Sequence, residues 1–186
     1  MKNGRLLIRT IVKDIVNILK NKKSGYFYLP KDGDFYSVGR FPVKTAVELT
    51  LKRSSKTNSF MVNAFYSPDD DVVEILVLFN PKTLEKNMYD IIGELNEVVT
   101  HELQHSIQNY RGELDTDTDT DDLSPLEYYL QPEELDAQAK GFKRLSKLRK
   151  IPAILLIKKW FEKHISIHNL TDDEQQIVMD SILEKM

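Results

Sequence analysis

The sequence predicts an α+β fold in which an N-terminal helix precedes a mainly antiparallel sheet and further helices complete the chain. Apolar residues recur at helical spacing near the N-terminus and again in the second half of the 186 residues. Between these regions, short β-branched and aromatic segments are separated by Gly, Pro, Asn and Asp. Because strands and helices do not alternate, we expect them to occupy separate parts of the fold.

An amphipathic helix is predicted over residues 5–20. Its apolar face consists of Ile8, Ile11, Val12, Ile15, Ile18 and Leu19. Arg9, Lys13 and Asp14 interrupt the apolar run, which therefore differs from the unbroken segment of a signal peptide. No apolar run approaches membrane-spanning length. We therefore expect a cytoplasmic protein with no membrane partner.

Three strands are predicted after a turn-rich stretch at residues 25–45. They cover residues 47–52, 60–66 and 72–79. The turn Ser-Pro-Asp-Asp-Asp between the last two predicts a β-hairpin, and the Asn-Pro pair at residues 80–81 predicts the end of the sheet.

The second half of the chain is predicted to be helical. Helices are expected at residues 87–110, from a capping box at 124–127, at 132–149, at 151–165, and from a capping box at 171–174 to the C-terminus. We assign residues 1–150 to one domain and residues 151–186 to a helical extension packed on it.

Composition and charge exclude several kinds of site. The absence of cysteine excludes disulfides, thiolate ligands and cysteine nucleophiles, so a transition metal needs His, Asp or Glu ligands. The net charge of −3 gives no overall attraction to nucleic acid, which is not an expected partner. The basic run at residues 140–163 forms either solvated helix faces or a surface for an anionic partner. The acidic repeat at residues 115–122 lacks the glycine and glutamate of a calcium loop and is interpreted as a solvated loop.

A metal-binding motif, His-Glu-Leu-Gln-His, occupies residues 101–105 within the predicted helix 87–110. Histidines four residues apart share one helix face, so both imidazoles can bind one ion. Glu102 points about 100° away round the helix, where it can accept a proton from a water that the metal activates. The alternative is a chance motif with surface histidines. The position of His101 and His105 at the rim of the apolar face favours the metal site.

A catalytic zinc has three protein ligands and one open position, so a third ligand is required. Gln108 and Arg111 occupy the places of the glycine and third histidine of the pattern HExxHxxGxxH. His164 and His168 lie in or beyond a later helix. We therefore expect a carboxylate ligand from the start of helix 132–149.

Helical geometry distinguishes the two candidate carboxylates. Glu134 falls in the apolar sector of its helix, whereas Glu133 falls in the charged sector. The apolar sector contains Leu135, Ala137, Ala139, Gly141, Phe142, Leu145 and Leu148. A carboxylate that faces a core needs a partner, which a metal ion provides, and the small Ala137 and Gly141 allow close approach of the two helices. The alternative is a helix-start glutamate favoured by the macrodipole.

The segments HELQH and PEELDAQA resemble the gluzincin metallopeptidases, whose third ligand is a glutamate on a second helix. The pair Glu134 and Ala137 resembles the Glu-x-x-Ala element of ImmA/IrrE-like and other minimal gluzincins. The block YYLQPEELDAQAKGF also resembles uncharacterised metallopeptidase-like proteins encoded by bacteriophages. The resemblance implies a small zincin-like domain that binds Zn²⁺ through His101, His105 and Glu134. It would hydrolyse a peptide or protein substrate with Glu102 as general base, in the host cytoplasm or a virion.

Further site residues follow from the same resemblance. Asn63 and Ala64 are similar to the start of the Asn-Ala-Phe-Trp edge strand of thermolysin-like enzymes, which binds the substrate backbone, although a plain strand end is equally compatible. Gln138 replaces an aspartate that contacts a ligand histidine in many gluzincins. Tyr128 and Tyr129 are candidates for stabilising the oxyanion, with ordinary packing as the alternative.

Two other functions remain open. One is a non-catalytic, metal-binding structural or regulatory protein, such as a virion component, on a peptidase scaffold. The other is a module for an anionic partner that uses the basic run. The sequence leaves the oligomeric state open.

Overall fold

The computed structural model describes residues 2–21, 23–30, 35–38, 41–54, 60–114, 123–164 and 169–186. Its helices are α1 (Lys2–Leu19), α2 (Leu84–Tyr110), α3 (Pro125–Leu130), α4 (Pro132–Arg149), α5 (Ala153–Lys163) and α6 (Asp172–Lys185). Its strands are β1 (Gly25–Leu29), β2 (Tyr36–Val38), β3 (Phe41–Arg53), β4 (Met61–Ser67) and β5 (Val72–Phe79). The predicted α+β class is confirmed.

The two predicted capping boxes are present at the starts of α3 and α6. The Ser124 hydroxyl accepts from the Glu127 N–H while the Glu127 carboxylate accepts from the Ser124 N–H. Thr171 and Glu174 make the same pair of hydrogen bonds at α6. Each box satisfies backbone donors that the first helical turn leaves without partners, and this explains why both helices begin at these residues.

The sheet has the strand order β1-β3-β5-β4, with β2 paired to β3. The pairs β1/β3, β2/β3 and β4/β5 are antiparallel, as expected, and the predicted hairpin joins β4 to β5. The pair β3/β5 is parallel, because the chain passes from β3 to the outer strand β4 and the hairpin returns β5 between them. The central place suits β5, whose sequence VVEILVLF is the near-continuous apolar run of a strand with neighbours on both sides.

One face of the sheet packs against α1 and α2. Alternate strand residues such as Leu49, Val62 and Val77 join the helices in one apolar cluster. The residues between them point to the other face, where Tyr26 and Phe65 are exposed. The sheet therefore has a covered inner face and an open outer face.

A second apolar cluster lies among α4, α5 and α6. It contains Leu135, Ala139, Phe142, Leu145, Leu156, Ile157, Phe161, Leu170, Val178, Met179 and Ile182. The α4 sector was predicted correctly except for Leu148, which is 47 % exposed. Leu148 lies in the last turn of α4. There the neighbouring Arg149, and not Leu148, contacts α2, because its guanidinium donates to the Asp90 carboxylate at 2.8 Å. The domain boundary at residue 150 stays a prediction.

Among the described residues, no helix combines the length and apolarity that crossing a membrane requires.

Candidate metal centre

The helix α2 brings its two histidines to one point. Both lie on the face turned toward α4, and their Nε2 atoms are 3.0 Å apart. Each side chain is 12 % exposed, so the imidazoles border the interior but remain reachable from solvent. The i, i+4 spacing of His101 and His105 predicts this arrangement for two histidines that bind one ion.

Glu134 from the first turn of α4 completes the group. Its Oε1 atom lies 3.4 Å from His101 Nε2 and its Oε2 atom lies 3.3 Å from His105 Nε2. The residue is 4 % exposed, whereas Glu133 is only half-buried. The two neighbouring glutamates therefore have the different orientations that the helix geometry predicts.

A close helix crossing allows this contact. A Cβ atom on Gly141 of α4 would lie 3.2 Å from the backbone oxygen of Glu97 on α2. A larger side chain would push α4 outward at this level, about two turns beyond Glu134. The expected role of Gly141 in close approach is thus supported by the geometry.

The two histidine nitrogens and the Glu134 carboxylate lie about as far apart as the ligands of one metal ion. Zinc at its usual distances of about 2.0–2.2 Å and with tetrahedral angles separates neighbouring ligand atoms by about 3.3–3.6 Å. The two Nε2 atoms are 3.0 Å apart, slightly below this range. Each of them lies 3.3–3.4 Å from one oxygen of the Glu134 carboxylate, His101 from Oε1 and His105 from Oε2. Two imidazole nitrogens and one carboxylate are donors that divalent transition metals accept. Among the described residues, the group whose ligand atoms lie close enough to hold a metal ion is His101, Glu102 and His105. The Glu134 carboxylate contacts both of its imidazoles.

The local charge favours a cation at this point. Burial acts to lower the pKa of His101, but the carboxylates of Glu134, Glu102 and Glu97 outweigh it and raise the pKa to about 10. For Glu134 the balance is opposite in sign. Burial acts to raise its pKa, yet the two imidazoles bring it well below the usual range. Each partner therefore stabilises the charged form of the other. The same carboxylates that stabilise a positive charge on His101 would also stabilise a bound cation.

Glu102 lies beside the two histidines. It is 7 % exposed, and one carboxylate oxygen lies within 4.8 Å of ligand atoms of both His101 and His105. Burial raises its pKa, while the imidazoles and the backbone N–H of Tyr66 in β4 act in the opposite direction. A desolvated carboxylate at this place has the environment of a general base.

Two glutamine side chains contact the proposed ligands. Gln138 Nε2 donates to Glu134 Oε1 at 2.9 Å. The resemblance had implied that the residue at this place contacts a ligand histidine, but Gln138 contacts the carboxylate instead. Gln108 Oε1 lies 2.9 Å from His105 Nδ1, and Gln108 Nε2 donates to the backbone oxygen of Glu133 at 3.0 Å. The sequence interpretation treated Gln108 only as a departure from a glycine pattern. The contact between Gln108 and His105 could have been predicted from the sequence, because residues three apart on a helix are neighbours.

The two tyrosine candidates have different surroundings. Tyr128 donates its hydroxyl to Glu134 Oε2 at 3.3 Å and therefore borders the site. Tyr129 packs edge-on against Trp160 and Phe161, with ring centroids 6.1 and 6.5 Å away. The structure thus places Tyr128 beside Glu134 and Tyr129 in the second apolar cluster.

The strand candidates lie on β4, which is an outer strand of the described sheet. The Asn63 side chain lines a cavity of about 270 Å³ on the open outer face, together with Tyr26 and Thr50. Ala64 packs against the inner apolar cluster. The hydrogen bond from β4 to the motif comes from the backbone N–H of Tyr66, which donates to Glu102.

Other sequence candidates lie elsewhere. His164 stacks on Trp160 at the end of α5, with ring centroids 4.8 Å apart. Glu127 is exposed in the α3 capping box. His168 and the acidic repeat at 115–122 lie outside the described residues.

Glu97 is a buried carboxyl that the sequence interpretation missed. Burial raises its pKa to about 7, and it faces Gly141 across the α2–α4 crossing. Its i−4 spacing from His101 placed it on the ligand face of α2.

No protein-family model, curated protein or solved structure matches the chain. The likeness to gluzincins therefore consists of the short motifs alone. The conclusion that the geometry carries by itself is a group comprising His101, Glu102 and His105 that can hold a metal ion, with Glu134 in contact with both imidazoles.

Proposed function

We propose that the protein is a zinc-dependent peptidase of the gluzincin type. His101, His105 and Glu134 are the ligands in this proposal, and Glu102 is the general base. The observation that carries it is the meeting of both Nε2 atoms, 3.0 Å apart, with the two oxygens of the Glu134 carboxylate at 3.3–3.4 Å, and the buried Glu102 beside them. A structural zinc site normally has four protein ligands, whereas three ligands leave a position open for chemistry.

Zinc is the metal that this donor set favours. Two imidazoles and one carboxylate form a common catalytic zinc set, and the chain has no cysteine to attract softer ions. When bound, zinc polarises a peptide carbonyl and lowers the pKa of water.

The residues of the chain supply the remaining chemistry. The Glu102 carboxylate accepts a proton from the attacking water and returns it to the amine that leaves. The Tyr128 hydroxyl, which borders Glu134, can donate a hydrogen bond to the carbonyl oxygen as its negative charge develops. The partly exposed imidazoles leave access for a peptide.

The outer strand β4 gives an extended peptide a backbone to pair with. The Tyr66 N–H is directed at Glu102, so it points away from the ladder with β5. Because outward groups recur at every second strand residue, the N–H and C=O of Ala64 have the same direction. A substrate strand could therefore hydrogen-bond to Ala64, two residues from the N–H that meets Glu102.

A basic-surface function has less support. Three cations of the run at 140–163 form ion pairs, namely Lys140 with Asp136, Arg149 with Asp90 and Lys163 with Glu94. These pairs reduce the charge available to an anionic partner.

The test combines metal analysis with digestion of a broad peptide library. We expect about one zinc per chain and cleavage that stops on chelation and returns with zinc. Zinc binding without cleavage of any peptide would favour the non-catalytic scaffold, and failure to bind zinc would contradict both.

A further inference from the structure

Gln108 has both ends of its amide engaged in the interior. It lies one turn after His105 on α2 and is 3 % exposed. One end of the amide meets His105 Nδ1 at 2.9 Å, and the other meets the backbone oxygen of Glu133 at 3.0 Å. Glu133 immediately precedes the proposed ligand Glu134, so one side chain connects a proposed ligand on α2 to the residue next to another on α4.

The backbone contact fixes the orientation of this amide. A carbonyl oxygen only accepts hydrogen bonds, so the NH₂ group of Gln108 must face Glu133. The oxygen of Gln108 must then face His105 Nδ1, and an oxygen only accepts. The neutral ring of His105 therefore carries its proton on Nδ1, which leaves the lone pair of Nε2 free for the proposed metal.

We propose that Gln108 is a positioning residue that sets the tautomer of His105 and ties its ring to the turn that carries Glu134. This inference rests on the proposed zinc function. A ligand histidine commonly donates its second ring N–H to an acceptor that fixes the ring, and Gln108 supplies that acceptor here. The bond to Glu133 adds a link between the two helices that provide the ligands.

Gln104 provides a matched control. It is also a buried glutamine of α2, 8 % exposed, and its Nε2 atom donates to Asp136 Oδ2 of α4 at 2.7 Å. It connects the same two helices without contacting an imidazole. The zinc affinity of Gln104→Ala therefore measures the effect of losing a link between α2 and α4 without losing a contact to a histidine.

The test compares three variants in their zinc affinity, measured by competition with a chromophoric chelator. Gln108→Ala should weaken zinc binding by about 10–100-fold, the usual effect of removing such a partner. Gln108→Glu keeps the acceptor for His105 but loses the donor to Glu133, so it should bind zinc more tightly than Gln108→Ala and melt at a lower temperature than wild type. Gln104→Ala should stay much closer to wild type in affinity. Wild-type affinity in Gln108→Ala, or an equal loss in Gln104→Ala, would overturn the proposal.

A spectrum of the metal-free protein separates this inference from the zinc function. Long-range ¹H–¹⁵N correlations of the neutral His105 ring should show the proton on Nδ1 in wild type and a mixture of tautomers in Gln108→Ala. A wild-type ring protonated on Nε2 would overturn the inference. If wild type shows the Nδ1 tautomer but binds no zinc, the proposed function fails while the role of Gln108 in orienting His105 stands.

Discussion

The α2–α4 interface and the outer strand β4 contain the two groups of residues that the sequence assigned to a site. At the interface, the buried polar side chains contact one another, as in the pairs Gln108 with His105 and Gln138 with Glu134. On β4, the Asn63 side chain is exposed on the face that α2 does not cover. The two helices thus bring the predicted ligands together. The strand instead contacts the motif through the backbone N–H of Tyr66, and its Asn63 side chain lies elsewhere.

This difference shows what each kind of periodicity determines. Helical spacing fixes the angle of a residue about the helix axis, so His101, His105 and Glu134 could be assigned to facing surfaces before the helices were docked. Strand alternation fixes only which of two faces a residue occupies. Which face meets the helices depends on the whole sheet.

The largest expected effect is the loss of zinc from Glu134→Ala. Removing the carboxylate that meets both imidazoles should abolish tight zinc binding and cleavage, and the melting temperature should no longer rise when zinc is added. Glu133→Ala is the control, because its carboxylate is only half-buried and its backbone oxygen remains in place. It should change stability by no more than about 0.5 kcal/mol. Equal zinc loss in both variants, measured by metal analysis, would contradict the assignment.

Glu102→Gln should separate chemistry from binding. The amide cannot accept the proton from water, so cleavage should fall by about 10²–10⁴-fold while zinc content stays at the wild-type level. Glu97→Gln is the matched control, since Glu97 is another buried glutamate of α2 that the mechanism does not use. Peptide kinetics and metal analysis on both variants provide the measurement. A control as inactive as Glu102→Gln would mean that charge in the interior, rather than proton acceptance, controls turnover.

Gly141→Val should act at a distance from the metal. Its side chain would meet the Glu97 backbone 3.2 Å from the Cβ position, so α4 must shift or strain. We expect a loss of about 1–3 kcal/mol in the free energy of unfolding, measured by urea denaturation, together with weaker zinc binding. Gly141→Ala should have a smaller effect on both. Unchanged zinc affinity in the valine variant would show that the ligands do not depend on this crossing.

The smallest effect is expected at the strand. Asn63→Ala should leave zinc content unchanged and alter cleavage efficiency by no more than about threefold, the scale of an exposed substitution. Kinetics on one cleaved peptide would measure it. A tenfold loss with zinc retained would instead show that the Asn63 side chain aligns the substrate, as the thermolysin-like resemblance implies.

Local patterns predicted most of the elements and the ligand geometry. The capping residues Ser124 and Thr171 marked helix starts correctly, because a cap depends on neighbours three residues away. The parallel β3/β5 pairing could not be predicted, since alternation does not specify strand order. The contact of Gln108 with Glu133 was also missed, because it exists only after α4 docks on α2. The burial of Leu148 was predicted wrongly, because helical spacing does not show that Arg149, its neighbour in the last turn, makes the contact with α2.

The most direct test of the central claim is anomalous diffraction at the zinc edge from crystals of the zinc-loaded protein. The account predicts one zinc peak at about 2.0–2.2 Å from Nε2 of His101, Nε2 of His105 and a carboxylate oxygen of Glu134. Glu102 should lie outside ligand distance, with a ligand position open beside it. Coordination by Glu133 or Glu102 in place of Glu134, or a peak away from the two histidines, would contradict it.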